Sequence, residues 1–318
     1  MVRCFFANLQ VNLAAGFLMF FFSERLFWTV FKPGDQIVDL VITWLAYSVL
    51  GCVFLNILKR CGGSELPRVA LAGAVYGWLA EGALVGTLYG TESSAPFPLS
   101  IVQTALSWHM LISVVVGWHF LTGAIRQGSL IKTALISAGV GLFWAAWAPF
   151  QWRETPPVIV PFWTFVAHAA LTGALLAIAC GILSGSAWNR YKPGWFGLSL
   201  SALILAVFYT GQIKALDLRP LILLPLLVGG VLALLCWAKG KIEQPGSCAT
   251  RSKRWQCAAT IILIPFIASL GYASQTFINT RGINPSWIFH GLALVGGVFF
   301  LAACGIVIRK RMAQTLPE

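Results

Sequence analysis

The chain has 318 residues, of which 58% are hydrophobic and 10% charged, with a mean hydropathy of +0.81 and a formal net charge of +12. A soluble domain carries about 25% charged residues, so a water-soluble globule is excluded, and 14 Trp with 22 Phe exclude a disordered chain. What remains is an all-α, polytopic bundle of membrane helices, read as one transmembrane domain over 1–318.

Crossing a hydrocarbon layer takes about 20 apolar residues in a helix. The chain offers ten such runs, at 4–22, 37–58, 69–89, 99–121, 130–147, 158–183, 195–213, 221–238, 257–273 and 287–308. The first run follows Arg3 directly but exceeds the apolar core of a signal peptide and lacks a small-x-small cleavage site, so it reads as a retained anchor. It can equally extend to Phe31, which would draw Ser23, Glu24 and Arg25 into the bilayer. The third run carries Gly73 with Gly77 and Gly82 with Gly86, each pair at four-residue spacing, a smooth stripe suited to close helix packing. Pro161, Pro225 and Pro265 fall within or at the start of later runs, where they can kink them.

Orientation follows from the basic residues, because short loops rich in Lys and Arg stay cytoplasmic. Arg25, Lys32, Arg153, Lys214, Arg219 and Arg281 fall on one side, and every other Lys and Arg falls on the opposite side. Both termini are therefore expected in the cytoplasm, as is the long basic loop at 239–255. All eight cysteines lie in the inner half or the inner loops, as expected where thiols avoid an oxidising compartment. The positive excess then faces anionic lipid at the cytoplasmic surface and calls for no nucleic acid. The expected location is the cytoplasmic membrane of a prokaryote. Trp144, Trp147, Trp152 and Trp163 bracket one outer loop and fit an aromatic belt. No CxxC, CxxCH or other Cys/His metal spacing occurs, so no cofactor is expected.

An ionisable side chain within the bilayer is costly and is a functional candidate by default. Glu81 in the third run, His109 in the fourth and His168 in the sixth lie at similar depth, in the middle to outer half. A carboxylate near one or two imidazoles is the minimum for general acid–base work on water. The same three groups could equally form a buried polar network that locks helices together. Trp78 and Trp108 flank the Glu and the first His in sequence. With the adjacent Glu24 and Arg25 they make up the candidate substrate-contacting set.

In order and placement, Glu81, His109 and His168 resemble the CAAX-protease-like (CPBP) group of glutamate-type intramembrane proteases. That group carries Glu-Glu-x-x-x-Arg on one helix, Phe-x-x-x-His on the next and His-x-x-x-Asn two helices later. Glu81, Leu84, Gly86 and Leu88 resemble the segment around the glutamates, and His168 with Thr172 resembles the last motif with Thr for Asn. Ala80 replaces one glutamate, Val85 the arginine and Ala105 the phenylalanine; taking Glu81 as the first glutamate puts Gly82 at the second. The likeness covers about residues 70–180. It implies a metal-independent hydrolase in which Glu81 and His109 activate a water while His168 and Thr172 hydrogen-bond the developing oxyanion. Two other readings stand beside it: a ten-span secondary transporter with Glu81 as the coupling-ion or substrate site, and a non-catalytic membrane subunit or scaffold.

Overall fold

The computed structural model describes residues 2–30, 36–61, 64–92, 95–153, 157–216, 218–239, 249–278 and 286–315. Lys32, Asp35, Glu154, Asp217, Cys248 and Arg281, and much of the basic loop at 239–255, lie outside them. Among the described residues every regular element is helical. Among the described residues nine helices are long and apolar enough to cross a membrane, so the chain is a multi-pass integral membrane protein.

The third expected run, at 69–89, has a different form. Its α-helix, α3 (Leu66–Leu79), has only 14 residues and opens with Pro at its first turn, where a missing N–H costs nothing. Beyond Leu79 the winding loosens to a π turn at Ala80–Leu84, Val85 is extended, and a short 3₁₀ turn at Thr87–Tyr89 ends on Gly90 at φ 76°. A positive φ at that exit suits a residue without Cβ.

The chain divides into two compact units, each assembled from three separate stretches of chain. The first comprises Met1–Ser48, Val116–Tyr191 and Gly246–Phe289. Its helices are α1 (Val2–Ser23), the start of α2 (Ile37–Cys61), α4 (Thr122–Gln127), α5 (Leu130–Trp147), α6 (Phe162–Leu183), α7 (Ser186–Arg190), α10 (Arg251–Ala259) and α11 (Leu263–Ile278). In the first span α1 stops at Ser23, and the membrane-length stretch runs on to Phe27, between the two ends the sequence left open. A 3₁₀ turn then carries Arg25–Phe27, with Arg25 buried.

Aromatic edges organise this unit's core. Trp144 is fully buried, with Phe21 and Phe165 edge-on at 5.7 and 5.5 Å, and Phe165 stacks on Tyr272 at 4.5 Å. Such pairs add about 0.5–1.5 kcal/mol beyond the area they bury. Their polar edges are satisfied: Trp144 Nε1 donates to Trp28 O, and Tyr272 Oη to Val160 O. In lipid every such group must find a protein partner.

The second unit holds Val49–Val115, Lys192–Pro245 and His290–Glu318. It contains the rest of α2, α3, most of a π-wound helix at Ala105–Leu121, α8 (Trp195–Leu216), α9 (Arg219–Trp237) and most of α12 (Ser286–Thr315). Here the glycine stripe sets the packing. A Cβ on Gly73 would meet Val114 at 2.9 Å, and one on Gly77 would meet the Ala105 carbonyl oxygen at 2.2 Å, so α3 lies with its backbone against the π-wound helix. A Cβ on Gly296 of α12 would meet the Leu106 backbone at 2.9 Å, so α12 also packs closely on that helix. Trp78 closes the layer, donating from Nε1 to Ile101 O at 3.0 Å with its ring edge-on to Phe300. Since apolar area gives no preference for protein over lipid, this close approach supplies the attraction between helices.

Gly77→Ala should therefore lower stability by about 1–3 kcal/mol, the usual cost of overpacking. Gly229→Ala, at a position with nothing within 4 Å, should be neutral or stabilising. Thermal unfolding of both variants in the same detergent checks the contrast.

Candidate functional site

Glu81 sits inside the π turn that interrupts the third run. The local winding is visible in one bond, from Val85 N–H to the Ala80 carbonyl five residues back at 3.2 Å. The extended residue and 3₁₀ turn that follow fold the chain back. Thr87 Oγ1 thereby donates to Glu81 Oε2 and has the Glu81 carbonyl as a second acceptor at 3.3 Å.

The opposing wall is also π-wound. Ser107 N–H reaches back five residues to Val102 O at 3.3 Å, and His109 N–H reaches Thr104 O at 3.1 Å. π segments inside helices are frequent at functional sites. Here two of them face each other within one unit, and each carries an ionisable side chain at its widened turn.

His109 Nε2 and Glu81 Oε1 are 2.6 Å apart, and the two side chains are 4% and 11% exposed. Thr104 adds a further hydrogen bond to the same carboxylate, and Tyr76 meets the His109 ring edge-on at 5.3 Å. An anion in an apolar surround must be paired and hydrogen-bonded, and His109 with the two threonines meets that need. Because Nε2 faces the carboxylate, it carries the proton, which makes Nδ1 the ring's acceptor. A carboxylate that fixes the orientation and tautomer of a His is the arrangement that makes an imidazole a general base.

The structure divides the remaining sequence candidates differently. His168 and Thr172 lie on α6 in the first unit. His168 is buried edge-on to Trp144 at 6.0 Å and lies against the backbone of Arg25 and Trp28. The Thr172 hydroxyl donates to the His168 carbonyl at 2.8 Å, inside its own helix. Arg25 places its guanidinium 5.1 Å from the Phe20 ring, and Glu24 accepts from Tyr47 Oη at 2.9 Å. Four of the expected residues therefore belong to the first unit and surround the turn after α1. Glu81 and His109 form the pair in the second. Trp78 serves the helix packing described above, and Trp108, half-buried, accepts a bond from Ser113 Oγ at its carbonyl.

Thr87 and Thr104 escape a sequence reading. In a continuous α-helix Thr87 would stand about 9 Å further along the axis than Glu81 and on a different face, so only the break brings them together. Among the described residues no group of three His, Cys, Asp or Glu is placed to hold a metal.

No family model matches the chain, and neither the curated proteins nor the solved structures offer a match. The class is that of a multi-pass membrane protein with a buried carboxylate–imidazole pair, and its function has to be argued from that site.

A buried carboxylate that loses its hydrogen-bond donor is left stranded, at about 3–5 kcal/mol. His109→Ala should carry that cost. Glu81→Gln keeps a side chain that can bond His109 and Thr87 and should cost about 1–3 kcal/mol. Equal losses in denaturant titration of the two variants would show that charge pairing does not hold the site together. A second readout lies outside the spans at Glu92. Partial burial and then the Glu81 charge push its carboxyl above the usual carboxylate range. Glu81→Gln removes only the second cause, so the Glu92 titration midpoint, followed by infrared or carbon NMR, should move part of the way down.

Proposed function

We propose that the protein carries out acid–base chemistry within the bilayer, as a metal-independent hydrolase acting on a membrane-embedded or small-molecule substrate. The observation that carries this reading is the 2.6 Å contact between His109 Nε2 and Glu81 Oε1, held on two facing π-wound segments. In the mechanism His109 Nδ1 takes a proton from a water as that water attacks an electrophilic carbon. Glu81 stabilises the imidazolium that results, and the proton then passes from His109 to the leaving group. The likeness to glutamate-type intramembrane proteases over residues 70–180 points to the same two residues. The oxyanion partners it implied, His168 and Thr172, form no part of this proposal, since the Thr172 hydroxyl is committed to its own helix. Both termini in the cytoplasm, and residence in the cytoplasmic membrane of a prokaryote, complete the reading.

A second reading rests on a separate observation, the break in the third run at Ala80–Leu84. Discontinuous helices of this kind carry coupling-ion sites in secondary transporters. In that reading Glu81 would bind and release a proton as a substrate moves.

Proteoliposomes holding a quenched transmembrane peptide, a fluorescent ester lipid and an internal pH dye separate the two. Turnover of peptide or ester that falls at least 100-fold in both Glu81→Gln and His109→Ala, with folding retained, supports the hydrolase. Proton flux lost in Glu81→Gln without turnover in the wild type supports the transporter. Wild type and Glu81→Gln alike in every channel would remove Glu81 from the function.

A further inference from the structure

The second unit contains an elongated apolar cavity that neither function uses. One part, of about 510 Å³, and a neighbouring part, of about 310 Å³, share a wall made by Val53, Leu79, Leu198 and Val228. Sites for small ligands usually occupy about 300–1,000 Å³. Along α9 the lining runs from Leu224 to Cys236, about 18 Å at the helical rise. That length and width suit an alkyl chain of the kind found in membrane lipids.

The two ends differ in character. At one end the lining is wholly apolar except for Tyr209, and it includes Ala83 from the π turn that bears Glu81. At the other end Arg60 and Lys239 join it with Asn56, Cys61 and Cys236, and no acidic residue is among the described residues that line it. This basic end is built rather than incidental. Arg60 stacks its guanidinium on Trp195 at 3.8 Å and donates from Nε to the side chain of the buried Asn56 at 3.3 Å. Stacking on an indole and a second tether fix the planar fork, which lowers the entropy lost when it grips an anion. Arg68, itself buried, spans the mouth by donating to the Cys61 carbonyl and the Ala238 carbonyl, so that the ends of α2 and α9 are held at a set separation. The Cys61 and Cys236 sulfurs lie 3.9 Å apart beside it.

We infer that this cavity holds one anionic phospholipid, its acyl chain along the Val53–Val228 wall and its phosphate at Arg60 and Lys239. Charge selects the headgroup, since two cations with no acidic residue among the described lining favour a net negative lipid over a zwitterionic one. Shape selects the chain, since only an apolar tail satisfies a lining with so few polar atoms. The basic end belongs to the side that the distribution of Lys and Arg makes cytoplasmic, where anionic lipid meets it. This inference stands independently of the role of Glu81 and His109.

The test uses the full chain in nanodiscs of equimolar phosphatidylglycerol and phosphatidylcholine, released into detergent for native mass spectrometry. Wild type should retain one phosphatidylglycerol with at least a 5-fold preference. Arg60→Gln with Lys239→Gln should erase the preference. Val228→Trp should reduce retention of both lipids by filling the apolar wall. Should the charge variant fold poorly, N-ethylmaleimide labelling of wild-type Cys236 gives a second reading, with slower modification in phosphatidylglycerol than in phosphatidylcholine bilayers expected. Equal retention of the two lipids, retention of a free fatty acid instead, or identical labelling rates in the two bilayers would overturn the inference.

Discussion

A carboxylate in an apolar slab has no water to lean on, so everything around Glu81 is arranged to supply donors in place of water. Its partners come from three places along the chain: the next helix through His109, the residue that begins that helix through Thr104, and its own downstream turn through Thr87. A regular helix at residues 80–90 could not provide the last of these. The widened turn at Ala80–Leu84, the extended Val85 and the 3₁₀ turn that follows are what the buried charge requires of the backbone. The close contact of Gly77 with Ala105 then fixes how far apart the two walls can stand.

Composition alone was enough to show a multi-pass helical membrane protein, because apolar runs of span length leave few alternatives. The choice of Glu81 and His109 as neighbours was also legible: rare ionisable groups at matching depth on consecutive runs have strong reason to pair. The surroundings of His168 were less legible. Depth along a helix says nothing about which face a residue occupies or which compact unit its helix joins, and His168 meets the turn after α1, with Arg25 and Trp28. The form of the third run was illegible for a related reason. Its 21 residues satisfy the length criterion, while the departure from α winding answers a tertiary demand from a side chain that hydropathy counts only as one polar residue.

Thr87 shows the limit most clearly. Six residues from Glu81, it falls outside the three- and four-residue spacings by which a helical face is read, and a short hydroxyl in an apolar sequence carries little signal. Arg60 is similar: a basic residue at the inner end of a span is expected from the distribution of charge, but its fixed posture against Trp195 and Asn56 is not.

A π turn can be regarded as an α-helix that has absorbed one residue too many, with the surplus taken up as a local bulge. Glu81 and His109 both ride on such surplus. Angular phase is what holds them together, for each residue of an α-helix advances the side chain by about 100°. If either segment relaxed to ordinary winding, its ionisable group would swing round its axis while the flanking helices kept their places. The site therefore stores its geometry in helical register, a discrete variable, so that it is either in phase or out of it and has few positions between.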